Sequence, residues 1–221
     1  MSILSLRHVS YVYDGTGKKV LDNLTADFKK GYLYGIMGKS GSGKSTLLSL
    51  ISGFDTCTEG EILYHGENME KLDRDLFRSR NIGVISQGYH LLTNATALEN
   101  MILSMNIGGC KVKDKKSCAL ELLSQTGINR EQANRRVDNL SDAQQQCVGL
   151  ARAMSHNPDI IIADEPTDHL DSDTEENIMK IFSSLAHNEN KCVIIVTHSK
   201  AISCYADELW GLNQGKLVFI K

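Results

Sequence analysis

Eight consecutive residues, Gly38-Lys39-Ser40-Gly41-Ser42-Gly43-Lys44-Ser45, follow the pattern G-x-x-x-x-G-K-[ST]. That spacing suits a cradle for phosphate groups. The glycines let successive backbone N–H groups turn inward around phosphate oxygens, and a helix that starts where the run ends adds partial positive charge. Lys44 is then placed to bridge β- and γ-phosphates, and the Ser45 hydroxyl to ligate Mg²⁺. Such a cradle needs a carboxylate for the metal. Ile160-Ile161-Ile162-Ala163-Asp164-Glu165 supplies one at the end of an apolar run. Asp164 would orient the metal or its waters, and Glu165 would polarise an attacking water as general base. Read alone, the first segment is a Gly/Ser turn and the second a strand ending in acid. Together they point to hydrolysis of a nucleoside triphosphate.

These groups need strands and helices to hold them. Residues 34–37 form an apolar strand candidate before the cradle, and residues 46–51 a helical pattern after it. The first third is β-rich, with strand candidates at 3–13, 20–28, 32–37 and 61–64 and a turn at Asp14-Gly15-Thr16-Gly17. From about 98 to 155 the chain is helical in character, with Ala119, Leu122 and Leu123 on one stripe that ends at Gly127. Residues 160–163 and 192–197 are short and continuously apolar, as parallel strands covered on both faces are. Ser172-x-x-Glu175 predicts a capping box for a helix reaching about residue 187. A final hairpin is expected around Asn213-Gln214-Gly215.

Composition narrows the function. The 221 residues are 41% hydrophobic and 23% charged, ordinary for a globular chain. Apolar runs are far short of the roughly 20 residues that cross a bilayer. No charged-then-apolar leader opens the sequence, so a cytoplasmic location is expected. The formal net charge of −3 gives no general reason to expect a nucleic-acid partner. Lys29-Lys30 and the lysines of 111–116 read as solvated surface. Six scattered cysteines form no Cys-x-x-Cys pair, which argues against zinc and for reduced thiols.

With these residues in hand, the chain resembles the ATP-binding subunits of ABC transporters along nearly its whole length. The resemblance implies an α/β fold: a P-loop NTPase (RecA-like) core, an antiparallel β subdomain and an inserted α-helical subdomain. It implies one ABC-type domain over 1–221, with the β-rich and P-loop core at 1–87 and 159–221 and the helices at about 88–158. Tyr13 sits where the family stacks an aromatic on adenine, with Tyr11 a nearby alternative. Gly38, Ser40, Gly41, Gly43, Lys44, Ser45 and Thr46 would bind the nucleotide. Gln87 resembles the glutamine that touches Mg²⁺ and the transmembrane partner, and Ser45, Gln87 and Asp164 would form the metal set. Glu165, His198 and Gln87 take the catalytic roles, His198 as the switch histidine at the γ-phosphate. Leu170-Asp171 closes a segment that crosses a dimer interface. The implied ligands are ATP and Mg²⁺. The implied partners are a transmembrane permease, docked around residues 91–107, and a second ATP-binding subunit. The chain would sit on the inner face of the membrane. Gln87-Gly88-Tyr89-His90-Leu91-Leu92 and the run Gln144-Gln145-Gln146 are similar to the branch of lipoprotein-release, macrolide-export and antimicrobial-peptide systems.

One segment departs from the family. Its signature, Leu-Ser-Gly-Gly-Gln, reads here Leu140-Ser141-Asp142-Ala143-Gln144, and a usual arginine after the glutamines is Cys147. Ser141 and Gln144 would contact the nucleotide of the opposite subunit. They also form a capping-box pattern, so the helix itself is expected to stand. Asp142 favours that helix by about 0.3–1 kcal/mol. Against a phosphate about 4 Å away, its charge is repelled by about 4 kcal/mol at an effective dielectric of about 20. The second exceeds the first, so an impaired signature is expected. A regulatory subunit with little turnover is the alternative reading.

Overall fold

The computed structural model describes residues 1–15, 17–168 and 170–221. In chain order, β1 (Ser2–Val12) and β2 (Lys19–Lys29) lead to β3 (Tyr32–Met37) and α1 (Lys44–Ile51). Next come β4 (Glu59–Tyr64), β5 (Glu67–Asn68), α2 (Arg74–Arg80) and β6 (Ile82–Ile85). Four helices follow: α3 (Ala97–Ile107), α4 (Lys115–Gln125), α5 (Arg130–Ala133) and α6 (Asp142–Met154). The chain closes with β7 (Ile160–Asp164), α7 (Ser172–His187), β8 (Cys192–Thr197), β9 (Glu208–Asn213) and β10 (Lys216–Phe219). The turn expected at 14–17 puts Gly15 and Gly17 at positive φ; Thr16 lies outside the described residues.

Two sheets result. An antiparallel sheet runs β2-β1-β4-β5, and a six-stranded sheet runs β10-β9-β3-β8-β7-β6. In the larger sheet β3, β6, β7, β8 and β9 are parallel, and β10 returns antiparallel. Its strands alternate into two cores. Ile36, Ile160, Ile162, Ile194 and Val196 pack with α1 and the antiparallel sheet. Leu33, Ile161, Ala163, Val193 and Ile195 pack with α7 and the C-terminal part of α6. Burial on both faces is why these strands read as unbroken apolar runs. A third apolar cluster joins α3, α4 and α6.

Register places the site. Met37 pairs with Thr197, Asp164 with Val196 and Ile85 with Ala163, so the carboxyl ends of four strands lie at one edge. Ligands bind at that edge in open α/β sheets. The hairpin forms as expected, with Gln214 and Gly215 both left-handed (φ 49° and 75°), the conformation a two-residue hairpin turn requires.

One expectation is corrected. The cap of α7 is Asp171, not Ser172: its carboxylate accepts the Thr174 N–H (2.9 Å) and hydroxyl (2.7 Å). A carboxylate satisfies two donors there and suits the positive helix end better than a neutral hydroxyl. Glu175 is thereby released from capping. It accepts hydrogen bonds from the Thr167 hydroxyl (3.1 Å) and the Ser199 hydroxyl (3.3 Å), tying together the loops after β7 and β8.

Candidate functional site

The loop between β3 and α1 wraps the α1 N-terminus. Gly43 caps the helix in left-handed conformation (φ 105°), and the first turn carries no acidic residue. Both features leave the positive helix end available to an anion. Gly38 must be glycine: a Cβ there would lie 2.4 Å from Ser42 Oγ and 2.7 Å from the Leu212 carbonyl oxygen. The Lys44 ammonium donates to the carbonyls of Gly38 (2.8 Å) and Lys39 (3.4 Å) and lies 3.5 Å from Glu165 Oε1. The loop opens into a cavity of about 820 Å³, lined by Ser40, Gly41, Gly43, Lys44, Ser45 and Thr46 on one side.

The ends of β7 and β8 supply the other wall. Ser45 Oγ donates to Asp164 Oδ2 at 3.2 Å. Two hard oxygen donors side by side at a phosphate cradle fit Mg²⁺. Burial pushes the Asp164 carboxyl up; the Glu165 charge adds to this, while Ser45 and Lys44 pull it down. Ionised Asp164 therefore costs the fold stability above its folded pKa, and the cost fades as pH falls through that value. Asp164→Asn is expected to raise the metal-free thermal midpoint at neutral pH, with the gap closing in mild acid. A lower midpoint at neutral pH would contradict it. Glu165 sits at φ 48° and donates its N–H to the Val196 carbonyl (2.8 Å). Its Oε2 accepts the His198 N–H at 3.0 Å and lies 3.0 Å from His198 Nδ1. Burial pushes the Glu165 carboxyl up, but bonds from His198 and Thr197 outweigh it and leave it below the usual range. Glu165 is therefore ionised at neutral pH, the form a general base needs.

A family model described as ABC transporter matches residues 21–168. The chain belongs to the ABC transporter family. It is 42% identical over 97% of its length to an uncharacterized ABC transporter ATP-binding protein, YclH, of Bacillus subtilis, covering 95% of that protein. It is 33% identical to the lipoprotein-releasing system ATP-binding protein LolD of Wigglesworthia glossinidia brevipalpis, covering 98% of this chain and 96% of LolD. Its fold matches the dimeric ATP-binding cassette MJ0796 in a post-hydrolysis state bound to ADP and Pi. The TM-score is 0.91 at 34% identity, with 99% and 98% of the two chains covered. The protein is thus an ABC ATPase that uses ATP with Mg²⁺.

The ABC cassette brings most of the residues expected from sequence to one cavity. Tyr13, Gln87, Asp164, Glu165 and His198 line it with the cradle. Gly38 sits beneath, holding Lys44 through its carbonyl. Of the two tyrosines, Tyr13 lines the cavity. Its hydroxyl is 2.9 Å from Thr46 Oγ1, and Tyr11 braces its ring edge-on at 5.0 Å. Ser141 and Gln144 are not among the lining residues. They make the expected capping box at the start of α6, Gln144 N–H to Ser141 Oγ at 3.3 Å and Ser141 N–H to Gln144 Oε1 at 3.0 Å. Asp142, in the first turn, is exposed. Sequence reasoning missed Lys18, Lys39 and Asp168, which also line the cavity. Lys39 falls on an unconstrained position of the motif. Lys18 arrives from a loop that only the packing brings near, and Asp168 from the turn after β7, where its N–H donates to the Glu165 carbonyl at 3.2 Å.

Proposed function

We propose that this chain powers a membrane transporter from the inner face of the membrane, as one ATP-binding domain spanning 1–221. The α3–α6 region at about 88–158 forms its helical subdomain. One observation carries the reading: Lys44, Ser45, Asp164, Glu165 and His198 converge at the ends of three adjacent parallel strands, in a cavity large enough for a nucleotide. Lys44 binds β- and γ-phosphate. Thr46 and the N–H groups of 40–46 hold the chain of phosphates, and Tyr13 stacks on the base. Ser45, Asp164 and Gln87 hold Mg²⁺, which supplies neutralisation of the phosphate charge. Glu165 takes a proton from the attacking water. His198 orients Glu165 and reaches the γ-phosphate. A second copy or a related subunit covers the cavity, and residues 91–107 receive a permease. Among the described residues no helix is long and apolar enough to cross a membrane.

The Asp142-Ala143 signature favours a variant of this reading, in which the segment offered to the opposite nucleotide is weak and turnover is low. Its exposed carboxylate in the first turn of α6 supports that. The double substitution Asp142→Gly and Ala143→Gly is expected to raise ATP turnover about tenfold, since each 1.4 kcal/mol relieved gives a factor of about ten. Steady-state phosphate release by the purified protein is the measurement. An unchanged rate would reject the impaired signature.

A further inference from the structure

Gln87 is followed by three left-handed residues: Gly88 (φ 92°), Tyr89 (φ 56°) and His90 (φ 46°). Glycine adopts this conformation freely. Tyr89 and His90 do so at a steric cost that persists only where the surroundings enforce it. Part of the enforcement is local: the Tyr89 N–H donates to the Ser86 carbonyl (3.0 Å), the His90 N–H to the Gly88 carbonyl (2.6 Å), and Ser86 Oγ lies 2.6 Å from His90 Nδ1. The rest comes from α6. Arg152, in its last turn, donates from Nη2 to the Tyr89 carbonyl at 2.8 Å and from Nη1 to the His90 carbonyl at 2.7 Å. Hydrogen bonds from an ionised donor are about twice as strong as neutral ones, and the planar fork fixes two acceptors at once. The guanidinium is partly buried, and burial pushes its pKa down. The same helix face contributes twice more. Tyr89 Oη donates to Oε1 of buried Gln146 (3.3 Å), and Tyr89 Cβ lies 3.5 Å from where a Cβ on Gly149 would sit. Gln146, Gly149 and Arg152 are spaced by three, one stripe along α6. The other end of α6 is the Ser141 cap.

We propose that Arg152 is a positioning residue for ATP hydrolysis. It holds the left-handed segment 88–90 on α6, which fixes where Gln87 enters the nucleotide cavity and links that point to the Ser141–Gln144 segment. This rests on the role given to Gln87 above. Lysine keeps the charge but cannot span two carbonyls with a rigid fork. Arg152→Lys is therefore expected to slow single-turnover ATP hydrolysis about 10- to 100-fold through misplacement alone. ATP affinity and thermal midpoint stay near wild type, and amide exchange at 88–91 accelerates. Adding His90→Gly is expected to recover part of the lost rate, because glycine adopts the left-handed conformation without steric cost, even though the Ser86 Oγ contact to His90 Nδ1 is given up. Loss of helix packing would not be repaired that way.

Wild-type hydrolysis and exchange in both Arg152→Lys and Arg152→Gln would overturn the proposal, as would a slow Arg152→Lys whose amide exchange at 88–91 is unchanged. Gln87→Ala, run in parallel, separates the two readings. If it is silent, the role of Gln87 falls and the clamp with it. If it is slow while Arg152→Lys and Arg152→Gln are both normal, the clamp alone falls.

Discussion

Glu165→Gln is expected to lower ATP turnover by about 10²–10⁴-fold, the range a positioned general base contributes. The substitution is nearly isosteric. It keeps an oxygen to accept the His198 N–H, which the wild-type carboxylate takes at 3.0 Å. It removes the negative charge 3.5 Å from Lys44, so the cation is freer for phosphate and ATP affinity is not expected to fall. What it loses is the ability to take a proton. With chemistry blocked and binding intact, the ATP-bound assembly should accumulate. Sizing chromatography with ATP and Mg²⁺ would show a dimer. A monomer under those conditions would count against pairing with a second copy of this chain, and turnover within threefold of wild type would remove Glu165 from the role of base.

Lys44→Ala is expected to weaken ATP binding about 100-fold. Two charge-assisted hydrogen bonds to phosphate, at about 1.5 kcal/mol each, account for that factor. The Lys44 side chain is only 10% exposed, so water does not replace it cheaply. Its removal also leaves Asp164 and Glu165 facing the phosphates without that cation. Titration calorimetry measures the affinity, and a thermal melt without nucleotide checks the fold. An affinity within about threefold of wild type would place the phosphates elsewhere. Both experiments read the chain's own cavity. The signature substitutions read what it offers a second subunit, so the two halves of the proposed function can fail separately.

Much of this site was legible before any folding was considered. The phosphate cradle is local: eight contiguous residues between a strand and a helix. The Ile160–Ala163 run announced a strand buried on both faces, and the acids at its end followed directly. The Ser141–Gln144 capping box was readable because its partners are three residues apart. The cap of α7 was misread because Asp171 and Ser172 are both good caps, and only backbone geometry shows which one faces the free N–H groups. Tyr13 was preferred for the base, but Tyr11 stayed a nearby alternative for a similar reason. Two residues apart on a strand, they share a face. The strand stops at Val12, and Tyr13 leaves it toward Thr46.

The sequence by itself singled out the candidate groups: a cradle, and an aspartate and a glutamate at the end of an apolar run, with the histidine added by the family resemblance. Tertiary structure decided their distances. Glu165 and His198 are 33 residues apart and meet at 3.0 Å because β7 and β8 are parallel neighbours in a definite register. Ser45 and Asp164 meet across 119 residues for the same kind of reason. The Arg152 clamp was invisible in sequence. Its acceptors are backbone carbonyls 62 and 63 residues away, and a carbonyl has no residue type to recognise. Side-chain chemistry is written residue by residue. Backbone acceptors and strand register exist only once the chain has closed on itself.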